Sequence, residues 1–235
     1  MKRFWRTATI LEQSGAYSIL LDARPMRLPG GPVLEIAHRG LAEAIAAEWQ
    51  AAGGDIGGDM DYAQVPLTRL AGTAQIRIAP DPAPTIAALA AYAKTDLLCY
   101  RAEQPQSLVQ REHLAWQPWL DWAAATHGAP LRATHGTMPV DQPPAALEAL
   151  HEAVAALDAF QLAGLAILVP VLGSLVLGLA VQAGRLDADA AFALSVLDEL
   201  AQEEFWGTGP DNAKRRATNL RDTLDAARFI AIARA

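Results

Sequence analysis

Hydrophobic and polar positions change rhythm twice along this chain. In the first forty residues the rhythm is short. Trp5, Thr7, Thr9 and Leu11 alternate with their neighbours, and Tyr17 to Leu21 forms a second apolar run entered through Ser14-Gly15. Asp22-Ala23-Arg24-Pro25 turns the chain, Met26 to Leu28 leads into the breaker cluster Pro29-Gly30-Gly31-Pro32, and Val33 to Ile36 is a further short run. Period-two runs bounded by Gly, Pro and Asp predict strands joined by tight turns. From Leu41 the period lengthens. Leu41, Ala44, Ile45 and Trp49 share one helical face, with Glu48 the polar exception, and Gly53-Gly54 with Gly57-Gly58 end the helix.

Beyond Pro80-Asp81-Pro82-Ala83-Pro84 the texture is helical. That proline-rich stretch cannot be helix interior and marks a linker. Helices are predicted from Thr85 to Tyr92, Ser107 to Thr126, Pro144 to Phe160, Asp187 to Phe205, and Asp211 to the C-terminus. Asp187 and Asp211 serve as N-caps, and Gly184 and Gly207 as stops. Between them Leu162 to Val181 runs 20 residues without a charge, long enough to cross a bilayer. Pro170 and Gly173-Ser174 interrupt it, and no Trp or Tyr belt flanks it, so it reads as two short core helices meeting at a break. The expected architecture is an α+β N-terminal domain over residues 1–82, a small sheet with a packed helix, followed by an all-α helical bundle over 83–235.

Composition narrows the functional classes. The 235 residues are 52% hydrophobic and 19% charged, far from a disordered composition. Much of the apolar fraction is alanine, which favours helix. Nineteen basic residues against 26 acidic give a net charge of -7, which weighs against nucleic-acid binding. Lys214-Arg215-Arg216 is diluted by Asp211, Asp222 and Asp225 and reads as a solvated helix face. The single cysteine, Cys99, excludes an internal disulfide framework or Cys-rich zinc site and points to a reducing compartment. No apolar signal stretch follows the basic start, so the chain is expected to stay where it is made.

The search for chemistry is mostly negative. No phosphate-binding glycine loop, zinc-binding His pair or nucleophile elbow is present in the sequence. Two constellations stand out. Trp116, Trp119 and Trp122 recur at a spacing of three, which is either a core stripe or an anchoring surface for a partner. Phe192, Val196, Glu199 and Glu203 fall at i, i+4, i+7 and i+11, which puts a carboxylate on an apolar face. Such a group needs an internal partner, such as an arginine of the last helix, or is reserved for a basic partner surface. A small hydrolase or transferase using Glu199 with Glu203, and a membrane association through 162–181, stand as alternative functions.

Motif order carries further than any one block. Arg3-Phe4-Trp5-Arg6, Leu21-Asp22-Ala23-Arg24-Pro25, Ala47-Glu48-Trp49, Pro66-Leu67-Thr68, Thr95-Asp96-Leu97-Leu98-Cys99-Tyr100-Arg101, Trp116-Gln117-Pro118-Trp119, Gly173-Ser174-Leu175, Leu197-Asp198-Glu199 and Trp206-Gly207 follow one another over nearly the whole chain. In that order the chain resembles the assembly chaperones of the ATP synthase F(1) sector that escort the alpha subunit. It departs from their pattern at Leu28, Val65, Ala201 and Thr208-Gly209-Pro210. The last of these puts an acidic contact by that loop in doubt. The resemblance implies a two-domain molecular chaperone that is not an enzyme and uses no cofactor. It implies a protein that binds the unassembled alpha subunit and masks its interface until beta joins. Relatives in eukaryotes work in the mitochondrial matrix, and a bacterial cytoplasm is expected here. By the same resemblance the partner-binding residues are Glu199 first, then Trp49, Asp96 and Trp206, with Asp198 and Glu203 beside Glu199.

Overall fold

A computed structural model describes residues 1–136, 138–207 and 209–234, with the backbone alone for Phe205, Trp206 and Pro210. The chain divides into two compact units. One comprises Met1–Pro82, Asp158–Gly164 and Arg228–Ala235; the other comprises Ala83–Leu157 and Leu165–Ala227. The chain thus returns to the first unit twice after leaving it at the proline-rich stretch.

The first unit is built on an antiparallel hairpin, β1 (Ala8–Gln13) and β2 (Ala16–Leu21). Ser14 and Gly15 join them with φ of 53° and 81°, the double left-handed conformation that matches strand twist. Asp22 and Ala23, at 48° and 67°, repeat the device and lead to β3 (Arg24–Pro25). The exposed Asp22 carboxylate accepts from the backbone N–H groups of Thr7 and Arg6, which hold it below the usual carboxylate range. β4 (Glu35–Ile36) also pairs with β2, leaving β2 central.

Helix α1 (Arg39–Ala51) buries Leu41, Ala42, Ile45, Ala46 and Trp49 as one stripe. Arg3 holds its C-terminal end. This buried guanidinium donates to the carbonyls of Gln50, Ala52 and Gly54 at 2.8, 3.1 and 2.6 Å, placing a cation on the negative end of the helix. Trp5 donates Nε1–H to the carbonyl of Trp49, and the two rings lie 5.0 Å apart. The helix α2 (Pro66–Thr73), continued by a π-turn over Ala74–Ile78, is not foreseen by the periodicity. Pro66 begins it in the favoured first position. Its N-cap residue, Val65, has no capping side chain. Glu48 takes that role from α1, accepting from the backbone N–H groups of Leu67 and Thr68 at 2.8 and 3.2 Å. The polar exception of the α1 stripe is therefore the clamp between α1 and α2.

The second unit is helical, with one short parallel pair, β5 (Tyr100–Arg101) and β6 (Thr134–His135). Its helices are α3 (Ala83–Ala91), α4 (Gln106–His127), α5 (Pro144–Ala155), α7 (Leu175–Gln182), α8 (Ala188–Ser195) and α9 (Leu197–Trp206). It also holds most of α6 (Ala159–Leu172) and α10 (Pro210–Arg234). The long apolar run breaks where the sequence places the break. Gly173 takes φ of 63° and Ser174 caps α7. No helix is long and apolar enough to cross a membrane among the described residues. Gly178 lets α7 close on α6: a Cβ there would meet Val169 Cγ2 at 2.7 Å.

Several boundaries differ from expectation. Helix α3 starts at Ala83 rather than Thr85, so the last two residues of the proline-rich stretch, Ala83 and Pro84, form its first turn, where the N–H that proline lacks has no helical partner to lose. The helix expected from Pro144 to Phe160 ends at Ala155, because Asp158 accepts from the N–H groups of Phe160 and Gln161 and starts α6 afresh. Asp211 lies inside the first turn of α10 rather than capping it, since the carbonyl of Gly209 already accepts from Asn212 and Ala213. The helix expected over Asp187 to Phe205 is two helices. Asp187 does cap the first, accepting from Ala190 N–H. Val196 then leaves helical geometry (φ -106°, ψ 9°), next to Ser195, whose hydroxyl donates to the Phe192 carbonyl. The spacing from Phe192 through Glu203 is therefore not one continuous face.

Candidate functional site

Helix α9 carries Asp198, Glu199, Glu203 and Glu204, and its two polar sides have different surroundings. Glu199 and Glu203 lie one turn apart on a side that faces α10. Glu199 accepts from Arg215 at 2.8 Å and from Arg216 at 2.7 Å. Glu203 takes Arg216 in a two-pronged contact of 2.6 and 2.8 Å. Arg216 thus bridges both carboxylates, which hold its proton more firmly than an ordinary guanidinium's, Glu203 foremost. The expected internal partner of Glu199 is therefore an arginine of the last helix. Two carboxylates held by two guanidinium groups, Arg216 between them and Arg215 on Glu199, are poorly suited to shuttle a proton between them. Glu204 makes an exposed pair with Arg111 of α4.

Asp198 points another way. With Ala201 and Gln202 it lines a cleft of about 730 Å³, lined also by Tyr100 and Arg101 of β5, the irregular chain from Ala102 to Pro105, and Leu108 and Glu112 of α4. Gln202 donates to Asp198 at 3.0 Å. Arg101 is buried in that lining. Its guanidinium lies 5.2 Å over the Trp116 ring and donates to the Glu112 carbonyl at 2.7 Å, while Nη2 has no hydrogen-bond partner. The Glu112 carboxylate accepts from Ala102 N–H at 2.7 Å. Burial first, then the charge of Asp198, pushes the Glu112 carboxyl up. Sequence reasoning assigned no role to Arg101 or Glu112. They lie on different elements with no shared spacing, and the only signal was the presence of Arg101 in a motif block.

The other expected contact residues are placed differently. Trp49 is buried, donating Nε1–H to Thr68 Oγ1 at 2.9 Å. Asp96 is fully buried and pins two helical starts together. It accepts from Leu98 N–H at 3.1 Å, Ser174 Oγ–H at 2.8 Å and Val176 N–H at 3.1 Å, and burial pushes its carboxyl up to about 6. Both hold the fold: Asp96 is wholly enclosed, while Trp49 is 4% exposed and helps line a small pocket with Phe4, Met26 and Tyr62. The side chain of Trp206 lies outside the described residues. Cys99 is buried, and its thiol is pushed up to about 12 by burial and then by Asp96, which leaves it inert. The tryptophan stripe divides. Trp116 is core and donates to the Leu194 carbonyl at 3.0 Å, whereas Trp119 and Trp122 meet edge to face half-exposed.

Comparison with known proteins gives this arrangement a family. The sequence profile of the ATP12 chaperone protein family matches residues 2–124. The crystal structure of Atp12 from Paracoccus denitrificans is 43% identical, superposes with a TM-score of 0.93, and is matched over 99% of this chain and 98% of that one. An aspartate-to-lysine mutant of P. denitrificans Atp12p gives the same identity and TM-score, over 99% and 97% of the two chains. A protein from Agrobacterium tumefaciens described as a putative chaperone, Atu1473, is 33% identical with a TM-score of 0.91, over 98% of this chain and 85% of that one. With a profile match over more than half its length and near-complete structural correspondence, the chain belongs to the ATP12 chaperone family.

Proposed function

We propose that this protein is a molecular chaperone for assembly of the ATP synthase F(1) sector, binding the unassembled alpha subunit and masking its interface until it joins beta. The observation that carries this reading is the end-to-end correspondence with Atp12, 99% of the chain at 43% identity, rather than a likeness of one unit alone. Physical logic agrees. A subunit awaiting its partner exposes an apolar interface, and a protein that binds it reversibly keeps it from aggregating by mass action. The role requires no catalytic group and no cofactor, only a surface. We place it in the bacterial cytoplasm, where the alpha subunit would be made.

The test is refolding of purified alpha subunit from denaturant at micromolar concentration with and without this protein. Light scattering is expected to fall to baseline near a one-to-one ratio, and the two proteins are expected to co-elute on size exclusion. Unchanged scattering together with separate elution would overturn the proposal.

A further inference from the structure

Two adjoining hollows of about 380 and 290 Å³ lie on the first unit, and Tyr62 lines both. Leu28, Gly72 and Ile76 line the first, and Phe4 and Met26 the second. Their apolar rim is open: Phe4 is 59% exposed, Tyr62 49% and Ile76 41%. Contiguous apolar surface rimmed by polar groups marks an interaction site, whereas single exposed side chains do not. Here the polar rim has one sign. Arg69 and Arg77 line the first hollow, Arg24 and Arg27 the second, all four exposed, and no Asp or Glu lines either. None of the four belongs to an ion pair among the described residues, although the chain carries 26 acidic residues against 19 basic. Arg27 donates to a carbonyl, that of Gly31, at 2.6 Å. Carboxylates flanking these segments are engaged elsewhere. Asp22 holds the N–H groups of Arg6 and Thr7, Asp59 pairs with Lys2 at 2.8 Å, and Asp61 accepts from Ala63 N–H at 3.3 Å. An acidic protein thus keeps four arginines without carboxylate partners around one apolar groove.

We infer that this groove holds a segment of the client in which apolar side chains stand beside Asp or Glu, the apolar groups entering the hollows on either side of Tyr62 and the carboxylates meeting Arg24 and Arg69. The inference rests on the proposed alpha-subunit client and names a surface on which that client is held. Charge complementarity selects the occupant. Guanidinium groups take carboxylates in paired N–H contacts, and with no carboxylate in the lining nothing in the groove repels them. The contact chemistry also fits, since tyrosine and arginine are over-represented among the residues that carry binding energy at interfaces. The groove is built by the first unit alone, from β3 with the chain that follows it and from α2 with its π-turn. A second copy of this acidic chain, or an anionic membrane, would present the same sign of charge, and the experiment separates both from the client.

The experiment uses the full-length protein, refolded alpha subunit, and short fluorescent peptides tiled along the alpha-subunit sequence. Arg24→Glu and Arg69→Glu are each expected to weaken alpha-subunit binding about fivefold and to reduce its dependence on ionic strength, as reversal of an interfacial charge does. Tyr62→Ala, which empties the ridge between the hollows, is expected to weaken it about tenfold. All three side chains are exposed, and the parent's circular dichroism is expected to be retained. Arg185→Glu makes the same charge change at an exposed position outside both hollows and is expected to bind as the parent does. Peptides that bind are expected to carry Asp or Glu beside an apolar residue, and to lose binding when the acid becomes its amide. Should the parent bind the alpha subunit while Arg24→Glu, Arg69→Glu and Tyr62→Ala bind it equally well, the groove assignment is overturned and the client stands. Self-association of the parent, or its binding to phosphatidylglycerol vesicles, that these variants abolish while alpha-subunit binding stays intact would give the groove to a second copy or a membrane and overturn the assignment likewise. Should the parent fail to bind the alpha subunit, the client reading falls and the groove assignment falls with it.

Discussion

Two buried or half-buried carboxylates show how single residues do more here than their spacing suggests. Glu48 breaks the apolar stripe of α1, and the reason is α2, whose cap residue is a valine. Burial pushes the Glu48 carboxyl up to about 7, against hydrogen bonds from Leu67 and Thr68 that pull it down. Asp96 is likewise raised, to about 6. A carboxyl whose folded-state pKa lies above its unfolded value binds more protons when folded. Its contribution to stability is complete below the unfolded value, about 4, and is lost as pH rises through 6 to 7. His127, lowered by burial, opposes this over part of the same range, so the parent's profile alone is not diagnostic. The difference between parent and Glu48→Gln isolates the group. Thermal melts from pH 5 to pH 8 should show the parent losing more stability than the variant, and parallel profiles would contradict the assignment. Asp96→Ala strands Ser174 Oγ and the N–H groups of Leu98 and Val176. A loss on the order of 3 kcal/mol is expected from denaturant titration, since each stranded buried donor is costly.

At the scale of elements, legibility depended on whether the signal was local. The hairpin, α1, the break at Gly173-Ser174 and the Asp187 cap were readable because turn geometry and caps act over a few residues. Helix α2 was not, because its cap comes from Glu48, 19 residues away from Leu67. The split at Val196 was missed because one hydroxyl bond from Ser195 is weak compared with a helical period extending over 19 residues. Asp198, Glu199 and Glu203 were found as a group, yet their division into a paired side and a cleft side needed Arg216, Arg101 and Glu112, contributed by other elements. The packing of α6 on α7 offers a sharper element-scale test. Gly178→Ala drives a methyl into Val169, a short branched side chain that cannot swing aside. A loss of about 1–3 kcal/mol is expected from denaturant titration, with helix content by circular dichroism retained. A neutral or stabilising change would mean that the two helices are less closely packed.

Taken whole, the molecule is a mildly hydrophobic, acidic chain in which each of those properties has a location. The apolar run that suggested a membrane span is split into α6 and α7, with α7 buried almost throughout. The acidity is partly neutralised, at Glu199 and Glu203, and partly left facing a cleft, at Asp198. Buried Trp49 and Asp96 explain why two blocks of the motif order are as they are without invoking a client. The decisive measurement is light scattering of alpha subunit diluted from denaturant in the presence of the intact protein. The proposed role predicts that scattering is abolished near one-to-one stoichiometry and returns when the alpha subunit is given its beta partner only after the chaperone has been removed. Scattering that is unchanged at a several-fold excess of this protein would contradict it.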